Sequence, residues 1–359
     1  MLHSGNVQGW RESTALPAQA ALAAHPTSLT AANPFLWYEN IRSRELRYLL
    51  IQSLQGGTMK NKAQAMVLAS LAADSLALGA HWIYDTEKIE KEIGRVDRLL
   101  APPEKSYHPT KKRGEFTHYG DQTLLLLKSI DEKGGFDLEH FADSWRRFTA
   151  TTTGYIDRAS KDTMLNFSQG KSARESGSGS TDLGGSARIA PLVYRYRDDL
   201  ETLLVAAREQ TAMTHTGPGV AGGTEFVART AFAVLHGASP AEAVNEALEQ
   251  GVVDIDLDLR LRAAVDSAGR QSRAVIKEFG QMCAINAALP GAVHLILRFA
   301  NDLREALIEN VMAGGDSAAR GMVVGMVLGA AGDQAAIPEA WLADLAALPA
   351  IKGCLAAMP

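Results

Sequence analysis

Carboxylates placed at the ends or on the inner faces of apolar helices are the groups in this chain best suited to chemistry. Asp316 follows Gly314-Gly315 and opens a run, through Ala331, built almost wholly from small and medium apolar residues. Its place at the N-terminal end of that helix, after two glycines, makes it the carboxylate to explain. Asp121 stands in Gly120-Asp121-Gln122-Thr123, just ahead of Leu124 to Leu127, and on spacing alone it reads as a simple helix N-cap. Asp74 falls on the apolar stripe of Leu71 and Val67. It therefore points inward and needs a ligand or a partner on a neighbouring helix.

Around these lie loops rich in groups that stack or hydrogen-bond. His81-Trp82-Ile83-Tyr84-Asp85 follows Gly79; either it lines a pocket, with His81 titrating near neutral pH, or Trp82 and Tyr84 merely anchor the loop to the core. Gly170 to Gly185 reads GKSARESGSGSTDLGG and feeds a helix that begins at Ser186 and contains Arg188. Ser180, Asp182 and Gly184 lie on backbone of a kind that presents N–H groups to a phosphate. The text fits neither the Walker nor the dinucleotide pattern, however, so a flexible linker is the plainer reading, and Arg188 is either a phosphate partner or one half of a core-edge ion pair. His215 sits in a Gly/Pro connection, Thr214 to Gly219, where two helices meet. Ala101 to Tyr119, with His108 and His118, is Pro- and Lys-rich and reads as a long surface loop.

Helices must position all of this. Apolar periodicity predicts them at Asn61 to Ala80, from Leu124, and at Phe136 to Thr149, Leu200 to Ala212, Gly222 to His236, Pro240 to Glu249, Asp256 to Ala268, Ser272 to Ala287 and Ala300 to Met312. The last, at Ala318 to Ala331, carries Gly321, Gly325 and Gly329 four apart, so one face is bare and a neighbour can approach closely. It is about 21 Å long against about 30 Å of hydrocarbon and has Arg320 in its first turn, which makes it a buried core helix. Few strand-like alternations occur, so the class is all-α.

The 359 residues are 46% hydrophobic, enough for a large core, and carry a net charge of −5 with no basic, aromatic-interleaved stripe, which argues against a nucleic-acid surface. Cys283 and Cys354 have no metal-type spacing. No uncharged apolar run reaches the length of a membrane span, no signal layout opens the chain, and a cytoplasmic location and a small-molecule partner are expected; oligomeric state is left open. Residues 1–58 differ in composition and read as a poorly packed extension, with a helical piece near Ser43 to Ser53, or as sequence ahead of a natural start at Met59; the coherent domain is 59–359.

Taken in order, these blocks resemble the ADP-ribosylglycohydrolase superfamily from about Asn61 to about Trp341. The likeness rests on Ala73-Asp74, Gly120 to Thr123, Arg188 to Leu192, Thr214-His215, Leu289-Pro290-Gly291-Ala292 and Gly314-Gly315-Asp316. His81 to Asp85 looks like the branch that includes the J-type crystallins of jellyfish and a related selenoprotein. The resemblance implies an orthogonal all-α bundle around a cleft with two Mg2+ or Mn2+ ions, which hydrolyses the bond between ADP-ribose and an acceptor. It puts metal-ligand positions on Asp121, Gln122 and Asp316. This chain departs from it: the family's Thr-Asp-Asp-Thr falls on Gly120 to Thr123, where an amide replaces one carboxylate, and its Asp-x-Asp followed by Thr or Ser falls on Asp316, Ala318 and Ala319. The expectation is therefore one ion or none, with Asp74, Asp85, Asp182 or Asp333 as compensating carboxylates. In a hydrolase Asp74, Asp85 or His81 assists the water. In a binding protein Trp82 or Tyr84 stacks on a base or ribose, Arg188 and its loop hold a phosphate, and nothing is cleaved. A crystallin-like structural protein is the third reading.

Overall fold

The computed structural model describes residues 58–358. The readings for residues 1–57, including the helical piece at Ser43 to Ser53, lie outside them. Helix α1 covers 58–77 and tightens into a 3-10 turn at Leu78–Ala80. There follow α2 (Thr86–Lys88), α3 (His118–Lys133), α4 (Leu138–Thr151), α5 (Arg158–Ser168), α6 (Gly184–Ala187), α7 (Ala190–Arg195), α8 (Leu200–Ala212) and α9 (Val220–Leu235). The chain continues with α10 (Pro240–Glu249), α11 (Ile255–Asp266), α12 (Ser272–Phe279), α13 (Ile285–Arg298), α14 (Leu303–Met312), α15 (Ser317–Ala331), α16 (Glu339–Asp344) and α17 (Leu348–Ala357). Among the described residues there is no strand, only isolated bridges between Ser178 and His215 and between Asp182 and Ala284. The all-α bundle is as expected.

Aspartates set many of the helix starts. Asp137, Asp157, Asp199, Asp254, Asp302 and Asp316 each accept a hydrogen bond from a backbone N–H in the first turn of the helix that follows. A short acceptor at that position satisfies one of the four free N–H groups of a helix N-terminus. This is why α14 begins after Asp302 and not at Ala300. The helix predicted over Ser272 to Ala287 is in fact two: Gly280, at φ +111°, ends α12, and α13 starts afresh at Ile285.

α15 is central, as its composition implies, with every residue from Ser317 to Ala330 buried. A Cβ on Gly325 would lie 2.5 Å from the Ala69 carbonyl oxygen, and one on Gly329 would lie 2.7 Å from Ala69 Cβ and 3.0 Å from the Ala65 oxygen. The bare face of α15 is thus the seat of α1. α1 itself is not a one-striped helix: residues 65–80 are all buried. Thr58–Ala80 is long and apolar enough to cross a membrane by composition, yet 94% of its most apolar window is buried inside the fold. α9, α13 and α14 complete the layer around α15.

The stretch Ala101 to Tyr119 is not all surface. His108, Phe116, Thr117, His118 and Tyr119 are buried. α3 also starts earlier than predicted, at His118, with Thr117 as its N-cap. Asp121 therefore lies in the first turn and does not cap the helix.

Candidate functional site

Asp316 is fully buried at the start of α15 and all its donors are identified. Its Oδ1 accepts from the Ala319 N–H at 3.2 Å and lies 3.1 Å from His81 Nε2, while its Oδ2 accepts from the Tyr119 hydroxyl at 2.8 Å. Burial alone would raise this carboxyl, but the bonds from His81 and Tyr119 outweigh it and hold the group below its usual range. His81 is aimed by its own loop. Trp82 N–H donates to the Gly315 carbonyl at 2.9 Å, and Gly315 N–H returns a bond to Ile83 at 2.8 Å. Both sides of this clasp are conformationally demanding: Trp82 has φ +63°, and Gly315 has φ +69° with the Gln281 carbonyl 2.1 Å from where a Cβ would stand.

Since Asp316 is ionised, His81 donates from Nε2 and its Nδ1 must accept. The donor to it, 2.9 Å away, is His108 Nε2. The line Asp316–His81–His108 thus has one consistent tautomer, which leaves His108 Nδ1 buried with no partner. Burial lowers both imidazoles, so they are neutral near pH 7. Trp82 stacks on His81 at 4.2 Å, and the edges of Tyr107 and Tyr155 close on its ring at 4.9 and 5.0 Å. Beside this cluster is an open cavity of about 640 Å³ whose walls include His81, Trp82, Tyr84 and Tyr107. A larger one, about 810 Å³ between α9 and α10, holds none of these groups.

A second pair stands next to the first. His118, almost fully buried, has no hydrogen bond to either ring nitrogen, and its Nε2 is 3.5 Å from Asp157 Oδ2, within ion-pair range. Burial would raise Asp157, but the neighbouring His118 and the Ser160 contact outweigh it and hold its carboxyl far below normal. Asp182, within electrostatic reach of both Asp316 and Asp157, is half-buried beside the Cys283 thiol. Burial raises its carboxyl, and the charges of Asp316 and Asp157 push it the same way.

The other expected residues are placed as follows. Asp74 accepts from Thr117 N–H at 2.8 Å, from its hydroxyl at 2.5 Å and from Gly120 N–H at 3.2 Å. It seats α3 on α1, so of its two readings the neighbouring helix is the one realised, and burial raises it to about 6 in spite of the Thr117 bonds. Asp85 is exposed, caps α2 and lines the open cavity beside Tyr84. Tyr84 is half exposed at the rim.

Arg188 is not available to a phosphate. It is buried with its guanidinium on Gln122 Oε1 (2.6 Å), Gln210 Oε1 (2.8 Å) and Thr214 Oγ1. Nor is the Gly/Ser stretch a linker or an open cradle. Ser178 N–H bonds Thr214 O, Leu183 N–H bonds Cys283 O, and the Ser180 and Asp182 amides bond the Ser178 and Ser180 hydroxyls, so the backbone is pinned to its neighbours. Gly184 keeps its place because a Cβ there would meet Tyr119 at 2.6 Å. His215 bonds Thr214 Oγ1 through Nδ1 at 2.7 Å and leaves Nε2 unpartnered toward Gly184.

The metal-ligand positions do not fit a divalent ion. Gln122 Oε1 already accepts from Trp145 Nε1 at 2.9 Å and from Arg188. Asp121 carries the Lys111 ammonium at 2.5 Å, and burial raises its carboxyl against that pull. Both oxygens of Asp316 are engaged. Among the described residues no three His, Cys, Asp or Glu side chains converge as a metal site. Asp333 caps a 3-10 turn at the far end of α15 and does not compensate. The sequence reading missed Lys111, His108, His118, Tyr119, Asp157 and Tyr155. The signal for part of this set was Thr117-His118-Tyr119 running directly into the Gly120-Asp121 block.

A family model described as ADP-ribosylglycohydrolase matches residues 56–358. An uncharacterized protein of Archaeoglobus fulgidus is 28% identical over 80% of this chain and 92% of its own. Crystallin J1A of Tripedalia cystophora is 24% identical over 79% of this chain and 91% of its own, and crystallin J1B is 24% identical over 79% and 92%. A solved structure titled ADP-ribosylglycohydrolase-related protein complex superposes with a TM-score of 0.68 at 22% identity, covering 84% of this chain and 98% of that one, which is likeness of fold.

Proposed function

Because the chain belongs to the ADP-ribosylglycohydrolase family, we propose that it hydrolyses an N- or O-glycosidic bond of an ADP-ribosyl or related substrate, using its own carboxylates and a histidine with no divalent metal. The observation that supports this is the division of roles among three carboxylates that interact with one another beside the His81 cluster. Asp316 and Asp157 are held ionised by buried donors, while half-buried Asp182 is pushed toward its protonated form by burial and by the other two. Groups whose surroundings drive their pKa values apart are the pattern of an acid working beside anions.

In this reading Asp182 gives its proton to the leaving nitrogen or oxygen as the bond to the anomeric carbon breaks. The positive charge that develops on the sugar faces Asp316, whose own hydrogen bonds from Tyr119 and His81 keep it fixed and ionised. His118, steadied by Asp157, takes a proton from the water that attacks the anomeric carbon. The products are the free sugar and the protonated acceptor. Asp182 ends as a carboxylate and His118 as an imidazolium, and one proton passed between them through solvent resets the site. The open ring at the rim, Tyr84, is the one left to stack on a base, since His81 covers a face of Trp82.

The test is release of ADP-ribose from ADP-ribosylated arginine and serine peptides in chelator. Asp182→Asn should lose turnover of these substrates and retain it for a ribosyl nitrophenol, whose leaving group needs no proton. Turnover that appears only with Mg2+ or Mn2+ refutes the metal-free chemistry. A binding role without cleavage draws support from the full enclosure of Asp316 and from the crystallin relatives. ADP-ribose raising the melting temperature in chelator, with no turnover of any substrate, selects it.

A further inference from the structure

Of the family's four expected metal carboxylates this chain keeps Asp121 and Asp316, with Gln122, Ala318 and Ala319 at the altered motif positions. Asp121 is paired instead with a cation of the chain itself. Lys111 Nζ lies 2.5 Å from Asp121 Oδ2, and the two side chains are only 15% and 18% exposed. The ammonium is not a loose surface group that happens to lie near. Its loop is tied down on both sides, by His108 on His81 at 2.9 Å, by the Thr110 hydroxyl on the Thr153 carbonyl at 3.3 Å, and by Arg113 on Asp344. Lys111 also passes over Gly154, where a Cβ would meet its side chain at 3.6 Å.

We propose that Lys111 is the resident cation of this site, an ammonium that occupies Asp121 in place of a divalent ion and keeps such ions out. The loss of carboxylates and the gain of a lysine are then one change. A single carboxylate balanced by a single ammonium is neutral, whereas two divalent ions on two carboxylates leave uncompensated charge in an enclosed site. A lysine suits the exchange because its charge is compact and its three donors turn freely toward an oxygen cluster. It supplies charge but no Lewis acidity, so the inference rests on, and deepens, the metal-free reading above.

The experiment reads metal binding, not turnover: Mn2+ titration followed by electron paramagnetic resonance, together with melting in chelator and in Mg2+. The unaltered protein should bind no Mn2+ through Asp121, and chelator should leave its melting temperature unchanged. Lys111→Met should bind one Mn2+ at least about tenfold more tightly than the unaltered chain, since a repelling unit charge at contact distance is gone. Adding Asp121→Asn should abolish that gain, and Lys111→Arg, which keeps the charge, should show none. Mn2+ bound by the unaltered protein and lost in Asp121→Asn overturns the proposal, as does a folded Lys111→Met that gains nothing. If Lys111→Met does not fold, Lys111→Gln replaces it, and the result for the unaltered protein decides by itself. A metal-free protein that cleaves no ADP-ribosyl bond would sink the hydrolase reading and leave this one standing; an Asp121-dependent Mn2+ site in a protein that still cleaves in chelator would do the reverse.

Discussion

Replacing Gly325 by alanine puts one methyl group into the closest approach between α1 and α15, and two effects of opposite sign compete. Alanine is the better helix former by about 1 kcal/mol, so at an open helical site the change stabilises. At Gly325 the new Cβ would stand 2.5 Å from the Ala69 carbonyl oxygen and 2.8 Å from its carbon, where ordinary contact begins near 3.4 Å. The obstacle is backbone, which has no rotamer to change, so the helices must separate. Overpacking a close-packed core costs about 1–3 kcal/mol, and a rigid obstacle argues for the upper end. The net is a loss of about 2 kcal/mol, or roughly 4 °C in melting temperature for a domain of this size. Gly353, in the middle of α17 with nothing within 4 Å of its added Cβ, is the control. Gly353→Ala should gain up to about 1 kcal/mol. Differential scanning calorimetry of both variants decides. A Gly325→Ala protein as stable as the original, or one shifted in the same direction as Gly353→Ala, refutes the claim that bare backbone contact sets the α1–α15 spacing.

Other outcomes follow from the site. Burial holds His81, His108, His215 (at about 3) and His294 (at about 4) below the ordinary imidazole value. The unfolded chain therefore binds protons that the fold refuses, and stability that is full above about pH 6.5 is lost on acidification, by at most about 1.4 kcal/mol per unit for each histidine. Asp74, raised to about 6, acts in the opposite sense below that pH, as do Asp121 and Asp182, whose carboxyls are also raised, but these are three groups against four; a melting temperature that stays level from pH 7 to pH 5 would contradict this. Arg188→Lys keeps the charge and loses the fork that reaches Gln122, Gln210 and Thr214, which should cost about 2–4 kcal/mol in urea unfolding, and an unchanged midpoint would mean that the fork is not needed.

What the sequence made legible was mostly local. The glycine spacing and apolar run of α15 identified the central helix, and the phase of Asp74 against Leu71 and Val67 put its carboxylate inside. Both depend on residues within a few turns of each other. The cluster around Asp316 depends instead on where a proline- and lysine-rich loop comes to rest. Nothing near His108 or Lys111 says that one will end beneath Trp82 and the other on Asp121, because those contacts are made across the fold. Asp121 was misread as a cap for a smaller reason: Thr117, four positions earlier, is also a capping residue, and it is the one that starts the helix. Arg188 was read as a phosphate partner or half of an ion pair because an arginine normally meets an anion, and here two glutamine side chains and a threonine take that place.

The pairing of α1 with α15 also governs the order in which this protein can come into being. His81 and Asp316, joined in the folded state, lie 235 positions apart. At about 5–20 residues per second a ribosome needs on the order of tens of seconds to travel from one to the other. Throughout that interval the nascent chain carries a helix apolar enough to pass for a membrane span, while the glycine-faced partner that will cover it is still unmade. The cleft is consequently among the last features to form during translation. A truncated product ending before Asp316 would expose the apolar face of α1 and lack the carboxylate that organises the site.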